Sequence, residues 1–284
     1  MASAAVAHGT DDHASAAAAG VWLVEAWVLA GLLLAAGLYA SGLFRLWSGA
    51  GRGAGVAEGR AACFAAGLAL LCLALLSPLD ALGAELFSAH MVQHEMMMLG
   101  AAPLLVAGRP LPVFLWAFPE HCRHRIAGAT RLPAVHRTWR ALSSPFSAWS
   151  LHAVVLWAWH VPRLFQAGLE SEFVHACQHA SFLASALLFW SSLNRSAARR
   201  GQAAAVLSLL TTAIHTGMLG ALLTFSTHAW YPLYAGTAPR WGMAALEDQQ
   251  LGGLIMWVPA GFLFVAAGLA AAAKAIGQER ERAA

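Results

Sequence analysis

The sequence predicts an all-α integral membrane protein, a bundle of seven transmembrane helices with its N-terminus outside and its C-terminus in the cytoplasm. Three observations predict it. Of the 284 residues, 59% are hydrophobic and only 11% are charged, against roughly a quarter charged in soluble domains. The apolar residues gather in seven runs, each near the ~20 residues that a helix needs to cross hydrocarbon. Basic residues fall on alternate connections between those runs, as the positive-inside rule requires of a multi-pass chain.

In chain order, residues 1–20 read as a polar N-terminal tail. It carries Asp11, Asp12, His8 and His13, and it lacks the positive n-region of a signal peptide. A single seven-helix membrane domain over 21–273 follows. Its spans are expected at about 21–44, 61–79, 86–107, 146–166, 174–193, 203–226 and 250–273. The segment 110–118 is apolar but too short to span; Pro110, Pro112 and Pro119 bracket it as an interfacial piece. Ser143-Ser144-Pro145 supplies a serine cap and a first-turn proline for span four. Trp157 and Trp159 mark that span's far end as an interface. In span seven, Gly252 and Gly253 allow a neighbouring helix to come close. Residues 274–284 form a cytoplasmic tail.

Charge orients the bundle. Loops 45–60, 108–145 and 194–202, together with the C-terminal tail, hold fifteen of the 17 Lys and Arg residues. The other side has only Arg163 and Arg240, and it carries Asp80, Glu85, Glu170, Glu172, Glu247 and Asp248. The expected location is the cell's inner (plasma) membrane, with lipid as the surrounding partner and no nucleic acid. The four cysteines, Cys63, Cys72, Cys122 and Cys177, form no CxxC pair. They read as small apolar residues, apart from Cys122 in the loop string His121-Cys122-Arg123-His124.

Seven of the 13 histidines fall in the outer halves of the spans or just beyond: His90, His94, His160, His175, His179, His215 and His228. An imidazole in hydrocarbon needs a partner, and several at one depth point to a transition metal or haem iron. His90/His94 and His175/His179 are spaced i, i+4, so each pair shares a helix face. In an unbroken α-helix, Met97 and Met98 fall on the arc of His90 and His94. Imidazole plus thioether favours copper, its oxidation state left open. The candidate ligands are therefore His90, His94 and His179, then His175 and His160, with Met97 and Met98 contributing. His215, mid-span, is as consistent with a helix-to-helix hydrogen bond as with a ligand role. Asp80 and Asp248 sit where they could orient a histidine from behind. His152 takes a packing or hydrogen-bonding role, and His228 reads as loop.

Several strings occur together and in order. They are Ser77-Pro78-Leu79-Asp80; His90-Met-Val-Gln93-His94, with Ala102-Pro103 and Gly108-Arg-Pro110; Trp159-His160-Val-Pro162; His175-x-x-x-His179, with Ser181-Phe182 and Phe189-Trp190; and Asp248-Gln249-Gln250-Leu-Gly252-Gly253-Leu-Ile-Met256-Trp257. The set, spanning roughly 75–260, resembles the CtaG family of seven-helix cytochrome c oxidase assembly proteins. That resemblance implies an assembly factor linked to copper insertion into a haem-copper oxidase. Its implied partners are cytochrome c oxidase subunits and a periplasmic or extracellular copper donor. It implies no catalytic residue. Many relatives carry an acidic residue where this chain has Gln178, which implies that a charge beside the metal is missing here. The long cytoplasmic loop and the N-terminal tail match none of the family's strings.

Two other classes stay open on the residues alone. A haem-binding membrane redox protein would use two facing histidines such as His94 and His179, and a Soret band would reveal it. An intramembrane zinc hydrolase would use Asp80, His94 and His179 around an activated water, although the methionines suit zinc poorly.

Overall fold

A computed structural model describes residues 26–198 and 202–283. The expected N-terminal tail, the start of span one, and Arg199 and Arg200 of the third basic loop lie outside the described residues. Within them the chain is helical, with no strand. The helices are α1 (Ala26–Ala50), α2 (Glu58–Leu76), α3 (Pro78–Glu85), α4 (Phe87–Ala107), α5 (Pro110–Trp116), α6 (Glu120–Thr130) and α7 (Pro133–Leu142). After them come α8 (Pro145–Trp159), α9 (Pro162–Glu170), α10 (Glu172–Ala198), α11 (Gln202–Thr224) and α12 (Ala245–Ala283).

Among the described residues, α1, α2, α11 and the Ala245–Ala273 part of α12 are long and apolar enough to cross a membrane. A fifth crossing results if α4 and α5, bent by 54°, count as one broken span. The bend falls at Gly108-Arg109-Pro110. Arg109 is the only non-glycine described residue with positive φ (52°), and Pro110 then starts α5. The two remaining apolar runs deviate from a simple span for different reasons. Helix α8 has 15 residues, about 22 Å, where a span over 146–166 is expected. It stops because Pro162 disfavours helical backbone at Val161, which is extended (φ −62°, ψ 125°). Helix α10 has 27 residues, ample length, but its His, Gln, Ser and Asn residues dilute its hydropathy.

Elsewhere the elements begin as their capping residues dictate. Ser77 ends α2 and caps α3 through its side chain to the Leu79 N–H, with Pro78 at the first position. Asp80 therefore lies in the first turn of α3, not at the end of span two. Ser144 caps α8 on the Ser147 N–H. The segment expected as a cytoplasmic tail continues α12 through Ala283.

Helix α4 is central: it packs on α2, α3, α10 and α12. Helices α11 and α12 form the most extensive pair. A Cβ on Gly253 would lie 2.7 Å from the Gly220 carbonyl oxygen and 2.5 Å from Thr224 Oγ1, so the expected close approach is real and depends on glycine. The buried core divides into clusters, one around Phe87, Phe165, Phe182 and Tyr231 and another around Val28, Phe64, Leu71 and Met97. Large apolar side chains such as Leu33, Ile214, Phe262 and Leu269 are exposed, which is the outer surface a chain in hydrocarbon presents.

Candidate metal centre

The site begins with how α4 is anchored. Its first N–H groups have no helical partner, and Asp248, fully buried at the start of α12, accepts them: Phe87 N–H at 2.6 Å and Ser88 N–H at 3.0 Å, with the Ser88 hydroxyl as a third donor. A carboxylate at the positive end of the helix dipole is favourable. Asp248 thus sets the depth and rotation of α4, and with them His90 and His94. Gln93, buried on the same helix, donates to the Ala74 carbonyl (2.8 Å) and to Asp80 (2.6 Å), pinning α4 to α2 and α3.

The connection between α11 and α12 closes this end of the bundle. Tyr231 donates to the His160 carbonyl (2.9 Å), Tyr234 to the Gly83 carbonyl (3.0 Å) and Thr237 to the Glu85 carbonyl (2.7 Å). Burial pushes the hydroxyls of Tyr231 and Tyr234 up from their ordinary value, so both remain neutral donors. Arg240 lies 3.6 Å from the buried Glu85 carboxylate.

Beneath this cover the imidazoles of α4 and α10 converge. Ligand atoms of His90, His175 and His179 all lie within 4.8 Å of one another. The His90 and His94 ring centroids are 4.3 Å apart, His175 and His179 4.1 Å, and His94 and His179 5.2 Å. His160, at the end of α8, shares Phe165 with His90 and Phe182 with His94, at centroid distances of 4.6–6.4 Å. Four of the five rings are buried, and His175 is partly exposed.

Four of these imidazoles, those of His90, His94, His160 and His179, are chemically unfinished. His94 has no hydrogen-bond partner on either nitrogen, and His179 and His160 have none on Nε2. His90 lies near the Gly83 carbonyl and the Gln178 amide, but not in hydrogen-bond geometry. Buried polar atoms without partners call for an ion or solvent. His160 is also in the tautomer a ligand needs: its Nδ1–H donates to the Leu156 carbonyl at 2.7 Å, which leaves the Nε2 lone pair free. The arrangement fits a metal held by three imidazoles, with a fourth and fifth adjacent. Imidazole suits copper, zinc, iron and nickel.

Of the other predicted residues, Met97 and Met98 lie in a π-helical stretch, Met96–Ala101, which begins two residues after His94. Such a bulge is frequent at functional sites and changes the rotation from one residue to the next. Met97 packs beside Val28 and Leu71, and it lines, together with His179, an apolar cavity of about 360 Å³. Met98 packs with Leu156 and Phe182. His215 sits beside Trp149 (5.7 Å), among α8 and α11. His152 stacks on Phe189 (5.3 Å) and meets Ser185 Oγ at 3.2 Å, the packing role expected of it. Gln178 is buried with neither amide atom hydrogen-bonded.

Sequence reasoning did not find the roles of Gln93, Tyr231 and Tyr234, or the π-helical turn. The tyrosines left a signal: the chain has only three, and each is buried with its hydroxyl on a backbone carbonyl, Tyr39 on that of Gly108.

Residues 37–278 match the family described as cytochrome c oxidase caa3 assembly factor (Caa3_CtaG). No curated protein and no solved structure matches the chain.

Proposed function

The chain belongs to the cytochrome c oxidase caa3 assembly factor family, and on that premise we propose that it carries copper to the oxidase during assembly. Copper is cargo in this reading, held for transfer to an oxidase subunit. One observation carries the proposal: the cluster of buried imidazole nitrogens, several without partners, between α4 and α10. His90, His175 and His179 are the primary ligands. His94 and His160 stand close enough to take over a ligand position as the metal moves; Met97, on a cavity shared with His179, and Met98, packed with the Phe182 that touches His94, offer soft sulfur from two separate directions. His175, partly exposed, is where the metal arrives from a periplasmic or extracellular donor. Asp80 and Asp248 act through Gln93 and through the α4 backbone, and His215 is a bystander.

Topology follows the same reading. The basic loops lie in the cytoplasm, the N-terminus outside, and the imidazole cluster near the outer face of the plasma membrane. Helices α8 and α10 complete seven spans, the short α8 supplemented by the turn at His160 and by α9. The alternation of Arg residues supports this orientation.

Titration of the purified protein with Cu(I) against a competing chelator tests the ligand set. Wild type should bind one copper per chain. His90→Ala/His175→Ala should lose more than the ~10–100-fold that outer-shell changes cost. Equal binding by the two proteins overturns the assignment. In a deletion strain, oxidase activity should return when copper is added to the medium. Failure of that rescue would point to a scaffold role instead.

A further inference from the structure

Away from the imidazoles, a groove of about 1160 Å³ runs between α5, α7, α8 and α10, above the ~300–1,000 Å³ usual for small-molecule pockets. Its walls include Leu151, Val155 and Leu188, and it reaches as deep as Ser181 and Ser185. Arg60, Arg109 and Arg195 line it, and no Asp or Glu is among its lining residues. Two of these arginines are held by the surrounding backbone: Arg60 donates to the Ala107 carbonyl (3.3 Å) and Arg195 to that of Ser143 (3.1 Å). Arg109 occupies the left-handed backbone region (φ 52°, ψ 55°), a strain of the kind found at ligand clamps.

Helix α7 contributes Trp139 and Leu142 to the groove. None of its residues is buried, yet Val135, Trp139 and Leu142 are spaced i, i+4, i+7 along one face, while His136, Arg137 and Arg140 fall elsewhere. A short helix with an aromatic apolar face and a basic polar face lies in a membrane interface. The Arg195 guanidinium stands 5.8 Å from the Trp139 ring, which joins the basic lining to this interfacial helix.

We propose that this groove is a binding site for one anionic glycerophospholipid. Arg60 and Arg109 take the phosphate, and the acyl chains run along α8 and α10 between Leu151, Val155 and Leu188. Basic pockets between helices at a membrane surface recognise anionic headgroups, and the groove adds an apolar channel that a free anion would not use. The site is independent of the copper reading: it shares no residue with the imidazole cluster.

Native mass spectrometry of the detergent-purified full chain, after exposure to phosphatidylglycerol or phosphatidylcholine, tests it. Wild type should retain one phosphatidylglycerol at detergent levels that strip phosphatidylcholine. Arg60→Gln/Arg109→Gln should weaken that retention by about 30-fold. Ala184→Trp, an exposed groove-lining position, should expel the lipid with all three arginines in place, which guards against misfolding of the double variant. Excess inorganic phosphate should leave the lipid bound. Equal retention of the two lipids, an Ala184→Trp protein that still retains phosphatidylglycerol, or displacement by inorganic phosphate would each overturn the proposal.

Discussion

Two helix meetings in this bundle use opposite means. Helices α11 and α12 join through glycine: Gly253 rests on the Gly220 carbonyl, with no room for a side chain. Helices α4 and α10 join across a gap filled by imidazoles, several of whose nitrogens lack partners. In hydrocarbon, close backbone contact holds helices together without a hydrophobic driving force, whereas unsatisfied polar atoms weaken an interface. The first meeting therefore serves stability, and the second leaves polar atoms unmatched at a cost in cohesion. Cohesion lost at α4 and α10 is restored at the edges of the cluster, by Asp248 on the α4 N-terminus and by the tyrosine and threonine hydroxyls of the connection between α11 and α12.

That division can be tested at the glycines first. Gly253→Leu should destabilise the protein by about 3 kcal/mol, read as a lower thermal midpoint, while a folded remainder still binds copper. A Gly253→Leu protein as stable as wild type would remove the adhesive role of the α11 and α12 contact. Filling the imidazole gap should act in the other direction. Cu(I) at a hundred times its Kd should stabilise by about 2.7 kcal/mol, and His90→Ala/His175→Ala should show no such gain. Asp248→Ala tests the link between the two meetings: loss of the cap and its buried hydrogen bonds should cost about 2 kcal/mol and weaken copper binding as well, since α4 would no longer be held at its depth. Tyr231→Phe removes one hydrogen bond, about 1 kcal/mol. The smallest expected effect is the sharpest control: His215→Ala should leave the copper affinity unchanged. A loss there equal to that of His175→Ala would mean that the site is drawn around the wrong histidines.

The helical character and several of the apolar spans are legible in the sequence, because apolar length is a one-dimensional signal. The break after Trp159 is less so. Residues 146–166 are apolar throughout enough of their length to read as one span, and only the steric demand of Pro162 on Val161 divides them. The imidazole pairs are legible from i, i+4 spacing, but their grouping is not. Spacing along α4 treats His90 and His94 alike; the structure brings His90 together with His175 and His179, and leaves the nitrogens of His94 outside the tightest group. The methionines illustrate the limit of periodicity. A fixed rotation per residue carries Met97 and Met98 onto the His90 face, but the π-helical turn starting at Met96 changes that rotation, and the two side chains enter different clusters. Gln93 escapes a sequence reading because an amide in a span has no fixed meaning until its partners, Ala74 and Asp80, are in place.

The phenols over the imidazoles also act as a built-in optical reporter. Tyr231 and Tyr234 ionise above their ordinary value in the folded chain because they are buried. Folding therefore disfavours phenolate, and the stability tied to these groups is complete below about pH 10, the value of an unfolded tyrosine. It drains away as alkalinity rises toward the folded values. In a Tyr39→Phe background, which leaves Tyr231 and Tyr234 as the tyrosines of the chain, the near-ultraviolet absorbance of phenolate should thus stay low well above about pH 10 and then emerge together with loss of this closure. A gradual rise centred on about pH 10 in the folded protein would show that water already reaches the roof of the site.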